Sequence, residues 1–368
     1  MTTLKEVELV STGVYLPGEP VPFEKIEERI GHLDRATPRI QKLVKKLKPS
    51  IKKLLGIDQC YFAINPVTKK VTESNTSMST KAIQHALGKA KMEANEIDCI
   101  ILANPLSDYQ TPPTTTLIQE SLGIENCAEI EVHSNCTGIT KAMQIAFDSL
   151  RLGRYKNVAI SYSQLSSAYL LSDIYNQEKV KSENLLLRWF LSDSASAVIL
   201  KARDSFDTGI KVVGVHNESL GCKHKPAMWS RLGAKNINLP EVFEAGIHHL
   251  GQDYSAVNNL APEFIACGFE KLLNHTKTNI NKIDHALSTI PSIMLFDKIR
   301  NHVDGRLSIS ADKWFCNMQN KGYSGGSSVI IGLDEMIDTN VFKKNETLAC
   351  VTIESSKWMV GGFILEYL

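Results

Sequence analysis

One short stretch combines residue types that could carry out thioester chemistry. Glu131-Val-His-Ser-Asn-Cys136-Thr-Gly138 leaves a strand pattern and enters a helix pattern that runs to Leu150. Cys136 therefore sits at or beside a helix N-terminus, where free amide N–H groups and the positive end of the dipole favour a thiolate. The same amides can hold an oxyanion. The other cysteines, at 60, 99, 127, 222, 267, 316 and 350, lie inside strand or helix patterns or in loops and read as small buried hydrophobes or reduced thiols. None forms a C-x-x-C pair, which argues against a zinc ribbon, a thioredoxin-type site or a disulfide scaffold.

Other constellations carry less. His248 and His249 are adjacent, so a regular helix cannot turn both toward one metal. No G-x-G-x-x-G follows a strand and no G-x-x-x-x-G-K-[ST] occurs; Gly325-Gly326 belongs to a Ser-rich turn. No metal and no cofactor is expected. Between Ile40 and Leu55, Ile40, Leu43, Val44 and Leu47 keep helical spacing while Lys42, Lys45, Lys46, Lys48, Lys52 and Lys53 fill other positions, with Pro49 expected to interrupt the helix. Such a run is either a solvated face or a docking surface for an anionic partner, and Lys45, Lys46 and Lys52 are the candidates for the second role.

The elements that must position these residues alternate from end to end. Val7 to Tyr15 reads as a strand, Ser79 to Met92 as a helix with Ala82, Ile83, Ala86, Leu87 and Ala90 on one face, and Ile97 to Ala103 as a buried strand. Asn135 to Leu150 reads as a helix, followed by strands at Asn157 to Tyr162 and Ala195 to Leu200. Ala90 to Leu102 and Asn274 to Ser288 share one plan: a helix end, a polar turn, Ile-Asp, then a strand. This repeat predicts an α/β protein of two similar halves, 1–205 and 206–368, parted at the polar stretch Ala202 to Asp207, with sites expected where the halves meet.

Composition agrees with an enzyme-sized globular chain. Of 368 residues, 43% are hydrophobic and 22% charged, and 41 basic side chains face 40 acidic ones. That balance excludes a disordered tail and a protein that coats nucleic acid. Lys5, Glu6 and Glu8 leave no apolar run for a signal peptide, and no stretch approaches the roughly 18 apolar residues of a membrane span. A soluble cytoplasmic protein is expected, with no nucleic-acid and no membrane partner.

The motifs also occur in a familiar order. VSTGVYLPGEPV, the long stretch from Thr72 to Ile124, HSNCTGIT, FLSDSASAVIL and KGYSGGSSVIIGLDEM are collinear with 3-oxoacyl-acyl-carrier-protein synthase III, and the chain resembles a divergent member of that family. The resemblance implies a thiolase-like fold, two α/β halves layered αβαβα, and a cysteine that takes an acyl group from a thioester. Cys136 matches that cysteine. The positions of the family His and Asn fall on Thr289 and Tyr323, which offer only hydroxyl groups.

No histidine obviously replaces the missing base. His285 lies four residues before Thr289, roughly 13 Å along a strand, and His133, His216 and the pair His248-His249 have no motif behind them. The family's Gly-rich turn, whose backbone supplies an oxyanion donor, falls on Glu354-Ser355-Ser356-Lys357, so the Ser356 N–H takes that part. Ala168 and Met294 stand where coenzyme A-binding arginines are expected, which favours a carrier-bound acyl donor over acyl-coenzyme A. Thr111, in place of a bulkier aromatic, suggests a medium or longer acyl chain in a partner's pocket.

The function expected is acyl transfer through an S-acyl intermediate on Cys136, in a specialised lipid or secondary-metabolite pathway, by a homodimer. With the condensation groups missing, the acceptor is an amine, an alcohol or an activated carbon. The alternative is a non-catalytic subunit paired with a homologue in a heterodimer.

Overall fold

Residues 4–368 are described by a computed structural model of the chain. The first strand, β1 (Glu6–Tyr15), shows why an alternating pattern gives way to a buried run. It lies in mid-sheet and is covered on both faces, so side chains of both parities must be apolar or hydrogen-bonded. Ser11 donates to the Ala86 carbonyl at 2.8 Å on one face, and Thr12 donates to Asp334 Oδ1 at 2.6 Å on the other.

The remaining strands of the sheet are β2 (Cys99–Asn104), β3 (Ala128–His133), β4 (Asn157–Gln164), β5 (Ser194–Arg203), β6 (Ile210–Ser219), β7 (His285–Ser288), β8 (Thr347–Glu354) and β9 (Met359–Tyr367). Their order is β7-β8-β9-β6-β1-β5-β4-β2-β3. β3, β2 and β4 run parallel, as do β7 and β8, while the strands between them are antiparallel. The two halves of the sheet join where β1 and β6 pair Glu8 with Lys211 and Leu9 with Ile210.

The longer helices are α1 (Pro38–Leu55), α2 (Asn75–Ala90), α3 (Thr114–Leu122), α4 (Gly138–Arg151), α5 (Leu239–Ala245), α6 (Tyr254–Thr276), α7 (Ile293–Leu307) and α8 (Ser327–Asp338). α2 and α3 pack on the outer face of the first set of strands, and α6 lies on the outer face of the second with α7 beside it. α4 and α8 are central and share one core with strands of both halves, including Ile101, Ile160, Val198, Val215, Leu348 and Phe363. The arrangement is the layered αβαβα fold.

The repeat read from the sequence has a structural counterpart. α2 ends on Lys91 in the left-handed conformation, a 3₁₀ turn follows at Ala94–Glu96, and β2 begins. α6 ends on Lys277 in the same conformation, followed by a 3₁₀ turn at Ile280–Lys282 and β7.

One expectation is corrected. Pro49 does not interrupt the lysine-rich helix, which runs unbroken from Pro38 to the left-handed Gly56. The apolar face of α1 supplies the reason: Ile40, Ile51 and Leu55 are buried against Ile26, Ile30 and Phe23, with Leu43, Val44 and Leu47 packed beside them. Burial of that stripe outweighs the one backbone hydrogen bond and local clash that an internal proline costs.

Close approach of α2 to β1 makes Gly13 sensitive. A Cβ there would lie 2.3 Å from the Ala82 carbonyl oxygen and 2.5 Å from the Ala86 nitrogen, both backbone atoms. Gly13→Ala is expected to destabilise the fold by about 1–3 kcal/mol. Gly88→Ala, on α2 where a Cβ meets nothing within 4 Å, is expected to stabilise by about 0.4–1 kcal/mol. Thermal unfolding of both variants checks this; equal melting temperatures would contradict the packing.

Candidate active site

The turn from β3 to α4 is Ser134 to Thr137, with Thr137 as N-cap and Cys136 just before it. The Gly138 N–H donates to the Asn135 carbonyl at 2.8 Å and tightens the turn. The Gly325-Gly326 turn that leads into α8 presses against it. A Cβ at Gly326 would lie 2.9 Å from the Cys136 carbonyl oxygen and 2.7 Å from the Tyr162 ring, so glycine is what lets the chains pass this closely.

Cys136 opens onto a cavity of about 1120 Å³ whose walls come from both halves. Tyr323 reaches it from the turn before α8, with its hydroxyl 3.0 Å from Cys136 Sγ. Backbone bonds fix that residue: its N–H donates to the Phe190 carbonyl at 3.2 Å and its carbonyl accepts from the Ser192 N–H at 2.8 Å. Its ring meets Phe190 edge-on at 5.9 Å. The Thr289 hydroxyl accepts the Ile353 N–H at 3.0 Å, tying the end of β7 to β8.

Cys136, Thr289, Tyr323 and Ser356, far apart in the chain, thus border one cavity. The N–H groups of Cys136 and Ser356 donate to no protein acceptor among the described residues. Ala168 also lies on the cavity wall. Met294, half exposed, borders a smaller apolar pocket of about 110 Å³ that shares Phe190, Gln252, Val257, Pro291 and Leu295 with the main one. Thr111 is outside the cavity, on the exposed loop that continues from the wall segment Pro105 to Gln110. Lys45, Lys46 and Lys52 lie outside it on α1, and Lys52 bonds Glu24 at 2.6 Å.

The surroundings of the sulfur work against the ionisation that the helix terminus was expected to favour. Burial pushes the Cys136 thiol up to about 12; the Tyr323 hydroxyl pulls it down in part, and the negative charge of Glu354 pushes it up again. Packing around the half-buried Cys136 strips the sulfur of much of its water although it faces the cavity, so the charged form loses solvation.

Glu354, which the sequence reading took only as part of a turn, also answers the helix terminus. Its Oε2 accepts from Ser134 Oγ and Thr137 Oγ1, each at 2.6 Å, and from the Thr137 N–H at 3.4 Å. Its Oε1 accepts from Ser356 Oγ at 2.6 Å. A carboxylate at the N-terminus of α4 offsets the dipole that was expected to favour the thiolate. The signal for it was present: a glutamate in a turn where the resemblance implies glycine. Ser134 is linked further to Lys141, whose ammonium donates to Ser134 Oγ at 2.8 Å.

The histidines have other partners. His285 bonds Glu346 at 2.9 Å, and His216 stands 3.4 Å from Glu218. His249 is buried and accepts the Asn176 N–H at 3.1 Å; burial first, then the neighbouring His248, pulls its pKa down to about 4. His133 and His248 border the cavity, the latter against the carbonyls of Ile174 and Val242. Among the described residues no histidine is hydrogen-bonded to Cys136.

Layered α/β halves around a cysteine at a strand-to-helix turn define the thiolase-like class. No protein-family profile matches the chain. It is 26% identical over 353 residues to the β-ketoacyl-[acyl-carrier-protein] synthase III of Clostridium perfringens strain 13, covering 95% of each chain. The corresponding protein of Natranaerobius thermophilus is 26% identical over 299 residues, 77% of this chain and 83% of its own. Among solved structures, the tetronic acid condensing enzyme AbyA1 superposes with a TM-score of 0.80 at 19% identity, covering 98% of this chain and 99% of its own. Xanthomonas campestris OleA gives 0.80 at 15% identity over the whole of both chains. The chain is a relative of the 3-oxoacyl-acyl-carrier-protein synthase III proteins and has their thiolase-like fold.

Proposed function

We propose that this protein is an acyltransferase that forms an S-acyl intermediate on Cys136 and passes it to an acceptor in a specialised lipid or secondary-metabolite pathway. One observation carries the reading: the Cys136 sulfur opens into a large cavity and is hydrogen-bonded there by the Tyr323 hydroxyl at 3.0 Å. In the loading step the sulfur attacks the thioester carbonyl. A new C–S bond forms, the donor leaves as its free thiol with the cysteine's proton, and the Cys136 and Ser356 N–H groups are the free donors for the oxyanion. The cavity exceeds the roughly 300–1,000 Å³ of ordinary ligand sites, which favours a medium or longer acyl chain.

A carrier-bound donor is favoured over acyl-coenzyme A. Lys42, Lys45, Lys46 and Lys53 are exposed on α1 and have no ion pair among the described residues, while Ile51, Leu54 and Leu55 at its end wall the apolar side pocket. An acidic carrier on that face would sit beside an entrance that Met294 makes apolar. The unpaired outer edge of β3 favours a homodimer, in which the exposed Thr111 loop would reach a partner's cavity.

Intact-mass measurement after incubation with octanoyl and palmitoyl thioesters of carrier protein and of coenzyme A tests this reading. Wild type is expected to gain one acyl mass, more readily from the carrier, and Cys136→Ala none. Equal acylation of both proteins would remove the reading. The raised thiol and the absence of a histidine partner favour a second one, a non-catalytic subunit; native mass showing an obligate complex with a homologue and no loading would support it.

A further inference from the structure

Glu354 stands where the resemblance implies glycine, at the end of β8, on the wall of the Cys136 cavity. Few carboxylates lie so deep: Glu354 is 3% exposed. It has no direct salt bridge among the described residues, and it accepts hydrogen bonds from Ser134, Thr137 and Ser356. Lys141 Nζ donates to Ser134 Oγ, which donates to Glu354 Oε2. Lys141, Ser134, Cys136, Glu354 and Ser356 all border the same cavity.

A pure capping role would not need this arrangement. Capping of α4 accounts only for the long 3.4 Å bond from the Thr137 N–H, while Thr137 itself makes no side-chain cap and gives its hydroxyl to the carboxylate; a buried carboxylate costs several kcal/mol of desolvation that a glycine would not. The serine-bridged lysine sets the hydrogen of Ser134 toward the carboxylate and supplies compensating positive charge one hydroxyl away. Against this stands the cost to the nucleophile, whose thiol Glu354 pushes up. A charge that hinders loading while being held toward the cavity by Ser134, Ser356 and Lys141 is placed for the other half-reaction.

We propose that Glu354 is the catalytic base of the transfer half-reaction and that the acceptor is therefore a protic nucleophile, an alcohol or an amine. This rests on the acyltransferase reading above. The acceptor's oxygen or nitrogen attacks the carbonyl carbon of acyl-Cys136 and its proton passes to Glu354. The C–S bond then breaks with its electron pair on sulfur, and the proton returns from Glu354 to the sulfur. The sum is R–CO–S–Cys136 plus H–Nu giving R–CO–Nu plus Cys136–SH, with no oxidant, reductant or metal required. Ser134 and Lys141 are positioning residues for the carboxylate.

The test uses octanoyl-loaded full-length protein and ethanolamine, which offers both nucleophiles. Decay of the adduct is followed by intact mass and the product by mass spectrometry, amide and ester being distinguished. Glu354→Gln is expected to load but to lose the octanoyl group about 10²-fold or more slowly, the usual contribution of a general base. Formate is expected to restore decay in Glu354→Ala. Independently of loading, Glu354→Gln should shift the pH profile of Cys136 alkylation to lower pH, since the negative charge that pushes the thiol up is gone; a structural cap alone would not give rescue by formate. Equal decay in wild type and Glu354→Gln, or an adduct that persists in both, overturns the base. Absence of any adduct on wild type removes the acyltransferase reading and the base with it.

Discussion

At pH 8, iodoacetamide is expected to label the exposed Cys222 and to leave Cys136 almost untouched. A free thiol with a pKa near 8.5 is about one-quarter thiolate at that pH. With its pKa pushed up to about 12, Cys136 holds on the order of 10⁻⁴ of its thiol in that form. Its alkylation should therefore be roughly 10³-fold slower, and should rise about tenfold per pH unit until about pH 12 or until the fold fails. Peptide mass spectrometry of samples quenched along a pH series reads both sites in one experiment. A Cys136 rate that is already level at pH 7 would mean that the sulfur is solvated or paired with a cation. The expected result bears on mechanism: a sulfur protonated at rest must lose its proton as the thioester arrives, so loading should be coupled to substrate binding.

Replacing Tyr323 by Phe should slow that loading roughly 10- to 150-fold, the value of a hydrogen bond to a charged group of about 1.5–3 kcal/mol. The Tyr323 hydroxyl is the side-chain group that lowers the Cys136 thiol against burial and the charge of Glu354. Phenylalanine keeps the ring and its edge contact with Phe190, so melting should move little while the alkylation limb of Cys136 moves to still higher pH. Time courses of adduct formation by intact mass, beside thermal melts, separate the two effects. Loading at the wild-type rate would show that the hydroxyl does not assist the sulfur, and the site would then need another donor.

Several features were legible in the residues because they depend on near neighbours. The turn Ser134 to Thr137 joins β3 to α4 as the strand and helix patterns require, and the repeat around Lys91 and Lys277 follows from similar local sequences. Pro49 was misread because local propensity was weighed without the core that α1 packs against. Thr289 and Tyr323 were located through the resemblance, but their partners were not. That Thr289 spends its hydroxyl on the Ile353 backbone, and that Tyr323 meets the sulfur, depends on β7, β8 and the turn before α8 meeting in space.

Glu354 separates the two kinds of information most sharply. The amino-acid order by itself determined which cysteine stands at a helix entrance, and that alternating α and β elements would bury a core around it. Tertiary structure alone decided which groups act on the ionisation of that cysteine. Protonation is set by solvation, hydrogen bonds and nearby charge, and here the bond comes from Tyr323 and the charge from Glu354, 187 and more than 200 residues further along the chain from the turn they act on.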